Sequence, residues 1–190
     1  MNIVNLLTDL ANSSKLKRID DQPAYTGWVA NLSQQFGAKK LGFHLEIMDP
    51  KTFSAPYHYH TEEEEMFYVI EGEAIVRREN KFQKVGPGDV IFYEVGPQSV
   101  HNMYNFTTRP FKFLAISIND PENDACFYPD SRKRTEGKDI VQDGTVVPYF
   151  KDEEAPNQYW PDWALRGEGF SILSELARPR SIPPLSSDLR

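Results

Sequence analysis

The chain has 190 residues, 39% hydrophobic and 26% charged, which fits one ordinary domain with a sizeable core and excludes global disorder. Twenty-one Lys and Arg against 28 Asp and Glu give a formal charge of −7, so the broad basic face that nucleic acid or an anionic membrane surface needs is not expected. No stretch approaches the roughly 20 apolar residues of a spanning helix, and the single Cys126 leaves no internal disulfide and no four-cysteine zinc site.

Along the chain, residues 1–17 lack the basic start and long apolar run of a secretory signal, so the cytoplasm is the expected location. Residues 3–10 read as a short amphipathic helix, and residues 18–40 as a segment adding a strand or helical turn at an edge; together, residues 1–40 form an N-terminal arm. The period then becomes two. Leu41, Phe43, Leu45 and Ile47 alternate with Gly42, His44 and Glu46, a half-buried strand ended by Asp49 and Pro50. Further apolar runs follow at residues 66–70, 74–76, 82–85, 90–93, 100–106 and 111–118, separated by turn residues at 71–72, 78–81, 86–89 and 96–97. Short strands at this regular spacing predict an all-β antiparallel sandwich or barrel over residues 41–120. Beyond Pro121 the pattern loosens into a C-terminal extension, residues 121–190, packing on the barrel or a partner subunit. Within it, residues 131–139 read as a solvated charged loop and residues 170–177 as one short helix. The aromatic group Tyr159, Trp160 and Trp163 is too large to leave wet, and either drapes over the barrel or a partner subunit or forms a ligand lid.

The chemistry concentrates in three of the four histidines. His58 and His60 flank Tyr59, and on a strand residues two apart share a face. Acidic residues 62–65 follow, and His101 stands on a later strand. A lone strand histidine is more often structural; a His-x-His pair joined by a third imidazole and a carboxylate points to a divalent metal. His44 reads as an ordinary half-exposed residue. An unbroken strand would put Glu64, not Glu65, on the histidine face; Glu65 is a ligand only if the chain breaks within residues 61–64.

These residues resemble the two motifs of the cupin superfamily. The first is carried by His58, His60, Glu65 and Gly72, the second by Gly88, the Gly96-Pro97 turn, His101 and Asn105. Two turn positions depart from the pattern: Thr52 stands where glycine is usual, and Gly96-Pro97-Gln98 replaces Pro-x-Gly. The resemblance implies a cupin-type double-stranded β-helix, a jelly-roll barrel with a metal in its mouth. It favours Glu65 over Glu64, so His58, His60, Glu65 and His101 would hold one divalent transition ion: Fe, Mn, Ni, Co, Cu or Zn. It also implies a homodimer. Residues 42–45, 56–60 and 125–131 resemble single-domain bacterial cupins, some loosely labelled sugar-phosphate-isomerase-like.

Phe67 and Val69, in register with Glu65, and Met103, on the face of His101, are expected to line the substrate pocket, while Asn105 anchors a strand end. A divalent ion with one carboxylate leaves a cationic centre that attracts a small anionic or oxygen-rich molecule. The expected function is a metal-dependent enzyme of isomerase or dioxygenase type; the alternative is a non-catalytic small-molecule or metal-binding sensor. No general base stands out among residues 62–64, Tyr57 and Tyr59.

Overall fold

In the computed structural model, the described residues are 3–6 and 16–170. The helix expected over residues 3–10 falls largely outside them, as does that over residues 170–177. The strands are β1 (Lys17–Ile19), β2 (Gly27–Asn31), β3 (Leu41–Met48), β4 (Tyr59–His60), β5 (Glu65–Glu71), β6 (Ala74–Arg78) and β7 (Lys81–Val85). They continue with β8 (Val90–Tyr93), β9 (His101–Tyr104), β10 (Phe111–Ile118), β11 (Cys126–Tyr128), β12 (Lys133–Glu136), β13 (Asp139–Gln142) and β14 (Thr145–Val146). Two five-residue helices, α1 (Leu32–Phe36) and α2 (Asp162–Arg166), complete the set.

The fold is an all-β jelly roll. One layer is a six-stranded sheet in the order β1-β2-β3-β10-β5-β8. The other is made by a three-stranded sheet, β7-β6-β9, and a five-stranded sheet, β14-β13-β12-β11-β4. Those two sheets meet where the segment before β4 bridges β9, with Phe53 opposite Tyr104 and His58 opposite His101. Strand alternation sends Met48, Phe67, Val69, Phe111, Phe113 and Ala115 of the large sheet inward, onto Val76, Val85 and Met103 of the opposing layer. Residues 18–40 supply most of β1, all of β2 and a helical turn. The turn, α1, is capped by the Asn31 side chain and ended at Gly37, and its Leu32 packs with Ala30 and Leu45 on the outer face of the large sheet.

Two turn positions explain motif residues. Gly72 ends β5 at φ +83°, where a Cβ would come within 2.6 Å of the Pro110 carbonyl oxygen, so only glycine fits. Asn105 is fully buried beyond β9. Its Nδ2 donates to the Asp49 and Arg109 carbonyls at 3.0 and 2.7 Å, and its Oδ1 accepts from Thr107 N and Oγ1. Thr52, the departure from the usual glycine, is buried and donates from Oγ1 to the Asp49 carbonyl.

The segment expected as a solvated loop, residues 131–139, instead forms the β12–β13 hairpin. Its charge count hides an alternation: Arg132, Arg134 and Glu136 are exposed while Lys133 points inward. Lys133 Nζ donates to the Tyr149 and Lys151 carbonyls and faces the buried Glu153 carboxylate at 3.7 Å. Trp160 is buried against Phe53 and Phe82, and Trp163 meets Phe82 edge-on, so this cluster covers the outside of the three-stranded sheet. Among the described residues, no helix is long and apolar enough to cross a membrane.

Because the fully buried Asn105 side chain bridges the Asp49 and Arg109 carbonyls to Thr107, Asn105→Ala should lower unfolding free energy by about 2–4 kcal/mol, against about 1 kcal/mol for Thr107→Ala. Urea denaturation followed by tryptophan fluorescence measures both; equal small losses would mean that the side chain is not the strand-end anchor.

Candidate metal centre

Backbone pairing brings the first two imidazoles together. His58 N donates to His101 O at 3.0 Å and His101 N to His58 O at 2.8 Å, so the two residues stand directly opposite across an antiparallel bridge. His60 lies two residues on, its carbonyl accepting from Gly96 N at 2.8 Å. That bond ties His60 to the Pro97–Ser99 turn, which leads into β9.

Glu65 arrives from the opposite layer. It opens β5 opposite Tyr93 of β8 and Ser117 of β10, after the strand has broken over residues 61–64. The break is built by Asp124. Its Oδ1 accepts from the backbone N–H of Thr61, Glu62 and Glu63 at 3.0, 2.9 and 3.2 Å, gathering them into a turn. The chain thereby changes phase, so Glu65 faces the histidines while Glu64 is exposed.

Glu65 Oε2 lies 3.3 Å from His101 Nε2, 3.9 Å from His60 Nε2 and 4.0 Å from His58 Nε2. All three rings are oriented through Nδ1. His58 Nδ1 is 2.8 Å from the Pro56 carbonyl oxygen, His101 Nδ1 is 2.9 Å from that of Ser99, and His60 Nδ1 is 2.6 Å from Asp124 Oδ2. Oxygen acceptors at Nδ1 fix the tautomer with the proton there and leave each Nε2 as a lone pair. Tyr93 stacks on His101 at 3.4 Å between ring centroids, nearly parallel, and holds its plane.

The electrostatics follow from burial. Burial, then the neighbouring His101, pushes His58 down to about 3, so its ring is neutral. Burial would raise the Glu65 carboxyl; imidazoles carrying a proton at Nε2, His101 foremost, would outweigh it and hold it down to about 2. Burial would likewise raise Asp124; the His60 ring N–H and the backbone N–H groups of the turn hold it low. Two buried atoms at the convergence point, Glu65 Oε2 and His101 Nε2, have no hydrogen-bond partner. Orphaned buried polar atoms are costly, and a cation bonded at about 2.0–2.2 Å to nitrogen and oxygen would satisfy both. One donor atom each from His58, Glu65 and His101 lie within 4.8 Å of one another. The donor set therefore fits a transition ion.

A cleft of about 390 Å³ opens on this cluster, with His58, His60, Glu63, Cys126, Tyr128 and Tyr149 among its walls. Phe67, Val69 and Met103, expected in the pocket, lie instead in the buried barrel core. Phe67 packs edge-on at 5.9 Å behind the His101 ring. His44 is half-exposed beside Glu46, away from the cluster. Sequence reasoning missed Asp124, Tyr93 and the far wall; only residues 125–131 carried a signal, as a stretch resembling related cupins.

Residues 44–117 match the family model described as a cupin domain, which makes the strand core of this chain a cupin domain. Three solved structures share the fold. One is a candidate sugar phosphate isomerase of Acidithiobacillus ferrooxidans, 24% identical, with TM-score 0.65 over 77% of this chain and 96% of that one. Another is a cupin-superfamily sugar phosphate isomerase of Silicibacter pomeroyi, 23% identical, with TM-score 0.58 over 64% of this chain and 80% of that one. The third is the polyketide cyclase RemF of Streptomyces resistomycificus, 19% identical, with TM-score 0.54 over 82% and 95%. At these identities the likeness is one of fold. No curated protein matches the chain significantly.

The orientation of the rings is testable without any ion. Long-range ¹H–¹⁵N spectra of chelator-treated protein should show His58, His60 and His101 as Nδ1–H tautomers, and Asp124→Asn should perturb His60 alone. An unchanged His60 pattern in that variant would refute the role given to Asp124.

Proposed function

We propose that the chain is a metal-dependent cupin enzyme, its ion held by His58, His60, Glu65 and His101, acting on a small oxygen-rich or anionic molecule. The observation that carries this reading is the convergence of three Nε2 atoms on Glu65 Oε2, with two of the rings, His58 and His60, also lining an open cleft. A divalent ion there would act as a Lewis acid on a substrate carbonyl or hydroxyl oxygen.

The remaining chemistry falls to the cleft walls. Glu63 stands beside His60 and Asp124, each offering one donor atom within 4.8 Å of the others, and its Oε1 accepts from Asp120 N at 2.8 Å. A carboxylate fixed at the edge of a Lewis-acid centre can take a proton from carbon next to a polarised carbonyl. Tyr128 and Tyr149 also line the cleft. This favours proton-transfer, isomerase-type chemistry over O₂ chemistry, in keeping with the two relatives named as sugar phosphate isomerases.

Protein prepared without chelators or a histidine tag should carry one transition ion per chain, and His101→Ala and Glu65→Gln should each abolish it by elemental analysis. Retained stoichiometric metal in both variants would sink the ligand assignment. With small hydroxycarbonyl compounds in deuterated water, the loaded enzyme should exchange carbon-bound hydrogen, and Glu63→Gln should slow this about 100-fold or more while keeping its ion. Oxygen consumption without exchange would favour the dioxygenase reading, and binding without turnover the sensor.

The outer face of the large sheet exposes Leu41, Tyr68, Val90, Phe92 and Ile118, which supports assembly as a homodimer. Light scattering should give twice the 21.9 kDa chain mass, and Phe92→Glu should halve it; a monomeric wild type would end this reading.

A further inference from the structure

We propose that Cys126 is a further ligand of the ion at this centre, binding through Sγ as a thiolate. The proposal rests on the metal-binding reading above and extends it to a residue outside the cupin motifs. Cys126 opens β11 and pairs directly with His60 of β4. Residues directly opposite in an antiparallel pair send their side chains to the same face, with Cβ atoms about 4.5–5.5 Å apart. The register therefore puts the thiol on the face that carries the His60 ring.

The side chains bear this out. One donor atom from each of His58, His60 and Cys126 lie within 4.8 Å of one another. Two donors on one ion, nitrogen at about 2.1 Å and sulfur at about 2.3 Å, can stand at most about 4.4 Å apart, so the His58, His60 and Cys126 donors stand near the spacing that one ion needs. His58 belongs both to this group and to the group with Glu65 and His101. The thiol is not the sole pointer to a ligand here. His101, 2% exposed, leaves its Nε2 without a partner, and so does Glu65 Oε2, both at the convergence point that His58 shares.

The surroundings suit a bound sulfur. Cys126 is buried on the wall of the cleft, beside His58 and His60. On ligation the S–H bond breaks, the proton leaves to water, and the sulfur electron pair forms the S–metal bond; nothing is oxidised or reduced. One soft donor among nitrogen and oxygen favours zinc, cobalt, nickel or copper over manganese.

The test uses the full chain loaded with zinc. Extended X-ray absorption should show a sulfur shell at about 2.3 Å beside the nitrogen and oxygen shell at about 2.0–2.1 Å. The cobalt-loaded protein should show a near-ultraviolet thiolate charge-transfer band that Cys126→Ser loses while still binding one cobalt per chain. One zinc per chain with only nitrogen and oxygen neighbours would overturn the thiolate and leave the four-residue site standing. A chain that binds no stoichiometric metal would overturn both. The zinc spectrum of the unaltered protein decides the matter even where Cys126→Ser does not fold.

Discussion

The site depends first on a single carboxylate. Asp124, 61 to 64 residues away from its partners, collects three backbone N–H groups with one oxygen and the His60 ring with the other. Each half of that arrangement has its own structural consequence. The three N–H bonds stop β4 and turn the chain, which reverses the alternation and brings Glu65 to the histidine side. The ring contact fixes the tautomer and aim of His60. Charge-assisted bonds of this kind are stronger than neutral ones.

The same logic runs through the other two rings. His58 and His101 are paired backbone to backbone, and each directs Nδ1 at the carbonyl two residues before it, Pro56 and Ser99. The fold thereby settles the tautomer of both imidazoles with main-chain atoms, which side-chain mutations elsewhere do not move. What remains is a carboxylate facing three lone pairs, with Glu65 Oε2 and His101 Nε2 unpaired in the interior. Such an arrangement is costly by itself and becomes favourable around a cation. Stability given up in the empty cluster is returned on binding, since a ligand that prefers the folded chain stabilises it.

Much of this was legible in the chain. Period-two alternation and Gly/Pro turns located the strands between residues 41 and 118, and the spacing of His58, His60 and His101 drew attention to one face. The choice between Glu64 and Glu65 was posed correctly as a question of whether the strand breaks, but its cause was hidden. Asp124 sits in a stretch without periodic signal, and no local rule links it to residues 61–63. Alternation also put Phe67, Val69 and Met103 on the right face and the wrong level. Each step of two residues moves about 6.6–6.8 Å along a strand, and a single step from Glu65 passes from the cluster into the packed core. Charge density misled at residues 131–139, where Lys133 turns inward to bind the Tyr149 and Lys151 carbonyls.

The barrel and its extension therefore contribute different things. His58, His60, Glu65 and His101 all fall within residues 44–117, the part shared with cupin domains. The wall facing them comes from later in the chain: Cys126 and Tyr128 on β11, Thr135 on β12, and Tyr149. β11 lies against β4 itself, so the wall is hydrogen-bonded to the strand bearing His60. Lys133 then ties Tyr149 to the hairpin behind it. A change in this wall would alter the shape and polarity of the cleft without moving the imidazoles, because their orientation is set by Pro56, Ser99 and Asp124. Asp124 is the exception in position, lying beyond the shared core yet acting on His60. It couples the two parts: the loop that begins the wall is also the loop that sets the geometry of the cluster.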